Sequence, residues 1–455
     1  MKYLSYIFVL ITFLCLAGCI EDGFSSSGSD QPEFSVDTLR MGTILTEQPS
    51  TTSRFVVYNR ADKGMMISKV GLSGPAAGMF RLNVDGFSGR EFSNVEIRAN
   101  DSIFIFVEAT LPANERDVPV VVEASLDFLT NGVQRSLPLT AQGRDVTRLR
   151  GVTIDTDTRL EAGKPYQVFD SLVVAPGATL TVAPGAEFMF HDGAMMVVRG
   201  TLKAVGEQGR EITFAGDRTG NVAADISFDI MSRQWTGIFF TPTSADNELS
   251  YAHVCNTWQG VTVMEAPLRM VNTRLRNSGG SVLEAYDAHI EAIGCEMAEA
   301  ADSPVYLSGG EHRFEHCTLS NYYLFVAPSQ PIVTLDHFDE ETDNGSGAPY
   351  LKAQFTNTII YGLGPDLSHG DFTGLPVVIE SCLLKSDGSD DDNFINCLWN
   401  ADPLFNTVRD EYIFDYTLKP ESEAIGAATA PTSADAAIDR LGTPRRGTIG
   451  AYEVN

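Results

Sequence analysis

A short pattern recurs in the second half of the chain, and it constrains the fold more than any other feature of the sequence. An apolar residue is followed three positions later by Cys or Thr, and two positions after that by a second apolar residue. The pattern fits Met270/Thr273/Leu275, Ala292/Cys295/Met297, Phe314/Cys317/Leu319, Phe355/Thr358/Ile360 and Ile379/Cys382/Leu384, with a looser copy from Ala252 to Cys255. The five regular copies start 22, 22, 41 and 24 residues apart. A repeat of this length predicts a solenoid in which each copy belongs to one turn of a parallel β-helix.

The recurring Cys and Thr predict a ladder of small side chains that face the narrow interior of the coil. Cys255, Cys295, Cys317 and Cys382 would stack with Thr273 and Thr358. Neighbouring strands lie about 4.8 Å apart, beyond the usual Cβ–Cβ separation of a disulfide, roughly 3.5–4.5 Å. Five cysteines follow residue 19, an odd number, and none forms a Cys-x-x-Cys zinc motif. We therefore expect buried free thiols, with a Cys295–Cys317 disulfide and a metal site as the alternatives.

Very short strands with tight corners are also predicted just upstream. In "DSLVVAPGATLTVAPGAEFMFHDGAMMVVRGTLKAVG" (Asp170–Gly206), Gly or Pro-Gly interrupts the apolar runs every few residues. The step of 41 residues holds a polar stretch, Pro328–Tyr350, which predicts a loop insertion or an irregular extra turn. We assign residues 146–455 to the coil.

Residues 33–145 show a different pattern of short alternating runs, such as "RFVVYN" (Arg54–Asn59) and "SIFIFVEA" (Ser102–Ala109), separated by Gly, Asn, Asp and Pro. This pattern predicts an antiparallel β-sandwich. The order of its runs resembles the immunoglobulin-like modules that precede catalytic or repeat domains in bacterial surface proteins. It lacks the core disulfide of antibody domains, since it contains no Cys. Its expected role is that of a spacer.

The N-terminus predicts export. "MKYLSYIFVLITFLCLAGC" has one basic residue, Lys2, and then an apolar run that is short for a membrane span and ends in small residues. "LAGC" resembles the bacterial lipobox. The resemblance implies that residues 1–18 are a lipoprotein signal peptide and that Cys19 carries the acyl chains, palmitate among them. Ordinary signal cleavage is the alternative.

Residues 19–32 are rich in Ser and Gly and predict a flexible tether. The acidic pair Glu21–Asp22 next to Cys19 resembles the export signal of lipoproteins displayed on the outer surface of some Gram-negative bacteria. We therefore expect an outer-membrane lipoprotein that faces the cell exterior, with its membrane contact made through the lipid.

Three stretches resemble the right-handed parallel β-helix, or pectate-lyase-like, family. They are "LVVAPGATLTVAPGAEFMF", "QWTGIFF…NELSYAHVCNTWQGVTV" and the C-terminal "NADPLFN…DYTLKPESEAIGAA…DRLGTPRRGTIGAYE". The resemblance covers about Val146–Val454 and implies a right-handed solenoid. With the immunoglobulin-like sandwich expected before it, the chain is predicted to be all-β. It implies little about activity, because one fold hosts many functions.

The net charge and the motifs of the chain argue against two classes of function. A formal net charge of −28 argues against a nucleic-acid partner, which needs a basic patch. Polygalacturonases of this fold carry Asn-Thr-Asp, Asp-Asp, Gly-His-Gly and Arg-Ile-Lys in that order. Here "SHGD" (Ser368–Asp371) precedes the acidic run Asp390–Asp392, and the basic motif is missing. We assign no catalytic residue and no required cofactor.

Two weaker site predictions remain. Asp387, Asp390, Asp391 and Asp392 offer hard oxygen ligands that suit Ca²⁺, although a solvated acidic loop is the simpler interpretation. Trp258, Tyr322 and Tyr323 follow interior repeat positions and are candidates for stacking against sugars. Arg269, Arg274, Arg276, Arg313 and Lys352 are expected on the outside of the coil, in solvent.

A long coil with a continuous flat face suits extended polymers. The sequence therefore predicts a lipid-anchored, non-catalytic protein for binding or adhesion, with polysaccharide as the expected ligand. A polysaccharide lyase or glycoside hydrolase and a purely structural surface protein are the alternatives. The sequence does not indicate an oligomeric state.

Overall fold

The computed structural model describes residues 23–223, 226–336, 351–367, 372 and 375–454. Over these ranges the chain is all-β, with three short 3-10 helices (Ala77–Met79, Phe228–Ile230 and Arg409–Glu411) and no α-helix. A membrane-spanning helix, long and apolar, is not found in this part of the chain. Contacts divide the molecule into two compact units that meet at Asp145 and Val146. The predicted signal peptide and the lipid site at Cys19 lie outside the described residues.

The N-terminal unit contains ten strands. They are β1 (Glu33–Phe34), β2 (Leu39–Leu45), β3 (Ser53–Tyr58), β4 (Met65–Ser73), β5 (Phe80–Val84), β6 (Phe87–Gly89), β7 (Glu91–Ile97), β8 (Ser102–Ala109), β9 (Val120–Thr130) and β10 (Val133–Arg144). They form two five-stranded sheets, ordered β1-β3-β8-β5-β6 and β2-β10-β9-β4-β7. Alternate residues such as Phe55, Phe80 and Phe128 from both sheets share one buried core. Pairing is antiparallel except for β10 with β2. This topology does not by itself establish an immunoglobulin-like module, which stays a prediction.

The part of the predicted tether that the structure describes is packed against this unit. Phe24 forms a bridge with Gly64, and the Gln31 Nε2 atom donates to the carbonyl of Thr130 over 3.1 Å. The Asn131 Nδ2 atom donates to the carbonyl of Ser27 over 2.8 Å. These contacts join residues 24–31 to the N-terminal unit, and the flexibility of the tether, residues 19–32, stays a prediction.

The second unit contains 28 strands, most of them three to six residues long. They are β11 (Thr147–Ile154), β12 (Thr158–Leu160), β13 (Tyr166–Val174), β14 (Thr179–Val182), β15 (Glu187–Phe190), β16 (Met195–Val198), β17 (Thr201–Val205), β18 (Ile212–Gly216), β19 (Asn221–Ala223), β20 (Ile226–Ser227), β21 (Gly237–Phe240), β22 (Asn247–Ser250), β23 (Ala252–Thr257), β24 (Val261–Met264), β25 (Pro267–Val271), β26 (Arg274–Ser278), β27 (Leu283–Tyr286), β28 (His289–Ile293), β29 (Glu296–Ala300), β30 (Val305–Ser308), β31 (Gly310–Glu315), β32 (Thr318–Asn321), β33 (Val333–Asp336), β34 (Leu351–Thr356), β35 (Ile359–Gly362), β36 (Val377–Glu380), β37 (Leu383–Leu384) and β38 (Phe394–Ile395).

Two large parallel sheets of 16 and 10 strands give the unit three faces, as in a β-helix. Face A contains β13, β16, β21, β24, β27, β30 and β33. Face B contains β13, β15, β18, β23, β26, β29, β32, β35 and β37, and the long strand β13 joins it to face A. The ten-stranded sheet is face C, from β12 to β38. Consecutive strands such as β25, β26 and β27 lie on faces C, B and A, so one turn of the coil contributes one strand to each face.

The strand register confirms the repeat read from the sequence. On face C, Met270 pairs with Ala292, Ala292 with Phe314, and Phe314 with Phe355. On face B the register is Leu275/Met297/Leu319/Ile360/Leu384. All of these side chains belong to one buried core.

The Cys and Thr positions lie at the corner between faces C and B. The Thr273 hydroxyl donates to the carbonyl of Leu249 over 2.8 Å, and the Cys317 thiol lies 3.4 Å from the carbonyl of Ala292. A small side chain with a donor therefore suits the site, whether hydroxyl or thiol. The residue just before each of them has a positive φ: Asn272 (48°), Gly294 (64°), His316 (51°), Asn357 (53°) and Ser381 (51°).

The prediction for Cys255 is wrong. Cys255 pairs with Arg276 in the middle of face B, and Ala252 occupies the ladder position instead. Cys397 was not assigned to the ladder from the sequence. The Leu398 amide donates to the Cys382 carbonyl over 2.8 Å, which places Cys397 one turn beyond Cys382. In the polar stretch Pro328–Tyr350, β33 adds a strand to face A, and residues 337–350 lie outside the described ranges.

We expect all five cysteines after residue 19 to be free thiols with two reactivities. Cys255, Cys295, Cys317 and Cys382 are buried, whereas Cys397 is half-buried. Thiol titration of folded residues 20–455 should show one fast-reacting thiol, which is absent in Cys397→Ser. After unfolding without reductant, all five thiols should react. A lower total after unfolding would mean a disulfide.

Candidate functional site

Polar side chains on face B are covered by the C-terminal segment, residues 398–454. Its apolar residues Phe405, Tyr416, Ile449 and Tyr452 form a second core with the outward side of the coil, and they lie against Ala298. The segment continues along the corner between faces C and B, where the Thr429 amide donates to the Asn357 Oδ1 atom over 2.9 Å. Face B is therefore closed to a ligand over these turns.

A buried ionic cluster lies beneath this segment. Arg276 is paired with Glu296, and its Nε atom lies 3.8 Å from the Oε2 atom of Glu299. The Tyr416 hydroxyl donates to Glu299, and the Tyr452 hydroxyl donates to the Glu296 Oε2 atom over 2.5 Å. The two carboxylates are 1% and 2% exposed. Because water and substrate do not reach them, this cluster fastens the segment to the coil and is not a catalytic site.

The two carboxyls titrate in opposite directions. Burial opposes ionisation of Glu296, but Arg276 outweighs it and holds the pKa of Glu296 below its ordinary value. Burial raises the pKa of Glu299 to about 7, since Arg276 is farther from it. One Glu299 oxygen, Oε2, also has no hydrogen-bond partner among the described residues.

Face C carries a ladder of alternating charge on its outward side. In register it contains Lys203, Glu248, Arg269, Glu291 and Arg313. The Arg269 Nη1 atom lies 3.2 Å from Glu248, and its Nε atom lies 3.0 Å from Glu291. Arg313 reaches Glu291 over 2.9 Å. These basic residues are thus paired between turns, in contrast to the solvated side chains expected from the sequence.

The outward residues of face A include half-exposed aromatic side chains. Phe239, Thr262, Glu284, Tyr306 and Thr334 stand in one row, on consecutive turns. Met264, Tyr286, Ser308 and Asp336 form the neighbouring row. Residues between them, such as Leu283 and Ala285, point into the core. We call these two rows the face A surface.

Two tyrosines lie at the centre of the face A surface. The rings of Tyr286 and Tyr306 have centroids 5.7 Å apart, and Tyr286 is 38% exposed. The Tyr286 hydroxyl donates to the Glu284 Oε2 atom over 3.3 Å, and the Tyr306 hydroxyl donates to the Asp336 Oδ2 atom over 2.8 Å. Burial raises the pKa of Glu284 above its ordinary value. The face A surface therefore presents aromatic rings beside carboxylates that accept hydrogen bonds.

The aromatic residues predicted from the sequence have three different surroundings. Trp258 is 45% exposed, and the Arg233 guanidinium lies 4.8 Å from its ring centroid. Tyr323 is 2% exposed, and its hydroxyl is 2.6 Å from the Ser232 hydroxyl. Tyr322 packs against Tyr416 of the C-terminal segment, with ring centroids 6.3 Å apart. Only Trp258 of these three therefore offers its ring to solvent.

The predicted calcium ligands are largely used by the protein itself. The Asp390 carboxylate accepts from the Asn396 amide over 2.7 Å and from the Trp399 indole over 3.0 Å. The Asp391 carboxylate accepts from the amides of Asn393 and Phe394. Within the described ranges, no three His, Cys, Asp or Glu side chains are grouped so as to hold a metal ion. Calcium binding by Asp387, Asp390, Asp391 and Asp392 stays a prediction.

Comparison with known proteins does not identify a family. No family model matches the chain, and no curated protein matches it. Among solved structures, it is similar to a protein of unknown function from Porphyromonas gingivalis W83, with 15% identity and a TM-score of 0.19 over 28% of this chain and 60% of that one. A family 123 glycoside hydrolase from Clostridium perfringens aligns with 9% identity and a TM-score of 0.19 over 27% of this chain and 26% of that one. The chain thus spans less than two thirds of each, and superposition at this level supports no statement about activity.

Sequence analysis missed Glu284, Tyr286, Tyr306 and Asp336. A signal was present, since "LEAY", "VYLS" and "VTLD" each alternate interior and exterior residues at equivalent places in successive turns. Aligning these strands from the Cys/Thr position would have brought the tyrosines together.

Replacing Glu299 by Gln should stabilise the coil at alkaline pH. The pKa of Glu299 is about 7 in the folded chain, against an ordinary 4.5, so the folded state binds more protons than the unfolded state between these values. Stability is therefore lost as pH rises through that window, by up to roughly 3 kcal/mol. Buried His253, His312 and His316 have lowered pKa values and add stability over the same window, so the test is the difference between variant and parent. In urea unfolding of residues 20–455, Glu299→Gln should gain stability relative to the parent between pH 5 and pH 8. The exposed Glu423→Gln is the control, and an unchanged pH dependence in Glu299→Gln would contradict the prediction.

Proposed function

We propose that this chain is a lipid-anchored protein of the Gram-negative cell envelope, displayed on the cell exterior, that binds an extended polysaccharide without cleaving it. The observation that carries the proposal is the pair of tyrosines on the face A surface, Tyr286 and Tyr306, with carboxylates beside them. In this proposal the coil is a right-handed helix of the pectate-lyase-like kind, and the N-terminal unit is an immunoglobulin-like module.

The chemistry of the face A surface suits a sugar chain. The faces of pyranose rings carry C–H groups that pack on aromatic rings, while their edges carry hydroxyls that need hydrogen-bond acceptors. Tyr286 and Tyr306 supply the rings, and Glu284 and Asp336 supply the acceptors. Successive turns repeat about every 4.8 Å, so the surface presents these groups along a line and not in a closed pocket. A polymer that lies along the coil can therefore contact outward residues of several successive turns.

The anchor follows from the N-terminal sequence. "LAGC" ending at Cys19 supplies the site of acylation, and Glu21–Asp22 supplies the signal for surface display. Each buried methylene contributes about 0.8 kcal/mol, so several acyl chains on one cysteine hold a protein firmly to a membrane.

A polysaccharide lyase or hydrolase is the second candidate. It is favoured by Glu284, whose pKa is raised by burial and by the nearby charge of Asp302. A carboxyl whose pKa is raised by its surroundings is the type of group that serves as a general acid. Size-exclusion chromatography of a mixture of protein and polysaccharide also tests this candidate, because cleavage shortens the polymer.

Polysaccharide binding should depend on the two tyrosines. We would mix residues 20–455 with uronate-containing and neutral polysaccharides and follow co-elution and polymer length by size-exclusion chromatography. Tyr286→Ala/Tyr306→Ala should weaken binding about tenfold or more, equivalent to ~1.4 kcal/mol. Phe87→Ala removes an aromatic side chain that is 73% exposed in the N-terminal unit and should leave binding unchanged.

Shortened polymer would instead establish an enzyme and direct attention to Glu284. Equal loss of binding in Phe87→Ala, or no loss in the double tyrosine variant, would show that the face A surface is not the site. No co-elution with any polysaccharide would favour a structural role.

Replacing Cys19 by Ala should abolish acylation and release the protein from the membrane fraction. The full chain would be expressed in a Gram-negative host with an alkyne-labelled fatty acid and then fractionated. Cys15→Ala changes a cysteine in the apolar run and should keep both label and membrane association. Label retained in Cys19→Ala would contradict the lipid anchor.

A further inference from the structure

The face A surface has a one-sided charge. None of its strands, from Ser171 on β13 through β33, contains Lys, Arg or His, whereas Glu284 and Asp336 both face outward from it. Face C differs, because there Glu248 and Glu291 are paired with arginines of neighbouring turns. The carboxylates of the face A surface accept hydrogen bonds from tyrosine hydroxyls, and no ion pair joins them to a basic side chain among the described residues.

A second observation concerns Thr262, a buried residue of the same surface. Thr262 stands in register between Phe239 and Glu284, and it is 7% exposed. Its Oγ1 atom has no hydrogen-bond partner among the described residues. A buried hydroxyl without a partner costs free energy, and most buried polar atoms in proteins have one. A polar group of a ligand bound to this surface would satisfy it.

Aromatic rings and unpaired carboxylates together are a recognition pattern for cations. An ammonium group is attracted to the face of a tyrosine ring and forms charge-assisted hydrogen bonds with carboxylates. The same charge repels uronate polymers, since binding would bring like charges together without a compensating cation. The charge of the surface therefore selects among polysaccharides.

We propose that the face A surface binds a cationic glycan, a polymer of amino sugars with free ammonium groups, which pair with Glu284 and Asp336 while Tyr286 and Tyr306 pack on the sugar rings. This inference rests on the proposed polysaccharide-binding function. It adds the chemical class of the ligand.

A basic peptide offers the same ammonium groups but suits this surface less well. Extended peptides gain affinity by pairing their backbone with an open sheet edge. The face A surface is the side of a sheet whose backbone groups already pair between turns, from β16 through β33. Sugar rings need no such backbone partner.

Isothermal titration of residues 20–455 with short soluble oligomers tests the inference. The probes are a glucosamine hexamer, its N-acetylated counterpart, a neutral glucose hexamer, a galacturonate hexamer and hexalysine. We expect the glucosamine hexamer to bind about tenfold more tightly than the others, and Glu284→Gln/Asp336→Asn to lose about tenfold of that affinity. Asp387→Asn/Asp392→Asn removes the same two charges from an exposed loop and should change affinity less than about twofold.

The outcomes separate the two proposals. Equal binding of the N-acetylated or neutral hexamer would overturn the cationic ligand and leave polysaccharide binding intact. Binding of none of the saccharides would overturn both. Equal affinity for hexalysine, or an equal loss in the loop variant, would show diffuse attraction to a chain of net charge −28 and would also overturn the inference. Thermal unfolding of each variant confirms that it is folded.

Discussion

The hydrogen-bonded register between successive turns is the constraint on which the coil depends. Parallel pairing places each interior side chain on the same position of the turn below, so a residue that fits one turn must fit its neighbours. Met270, Ala292, Phe314 and Phe355 share one such column, and large residues there stack ring on ring, as Phe314 and Phe355 do at 4.8 Å. The corner imposes a second requirement, because the chain must turn from face C to face B through a positive φ. Asn and Gly recur there since both tolerate that conformation.

The C-terminal segment decides which outward side chains reach solvent. It covers part of face B with Phe405, Tyr416 and Tyr452 and is fastened by an ionic cluster that water does not reach. Face C neutralises its own charges between turns, through Arg269 and its acidic neighbours. Among the described residues, no segment covers face A in this way, and its carboxylates have no basic partner. Its tyrosines and carboxylates are therefore the groups that a ligand in solution meets.

The interior of the coil could be predicted from the sequence, and the exterior could not. The repeat predicted the partners of Ala292, Cys295 and Met297 correctly, because interior side chains obey a rule of size and polarity that recurs in each turn. Cys255 was assigned wrongly because it lies three positions after the true ladder position, Ala252. It stands on the outward side of its strand. Outward positions follow no such rule. Tyr323 resembles a surface aromatic residue in sequence, but its hydroxyl meets Ser232 from a loop more than 90 residues earlier in the chain.

The sequence by itself determined the all-β class, the length of a turn and the column of small residues at the corner. Each of these depends on local spacing and on side-chain size, which are written in consecutive residues. Only the tertiary structure decided that Glu296 and Glu299 are buried while Glu284 faces solvent, although all three lie on neighbouring turns. The reason is that exposure on the outside of a coil depends on which distant segment folds back across each face, and that choice is made by contacts between residues far apart in the chain.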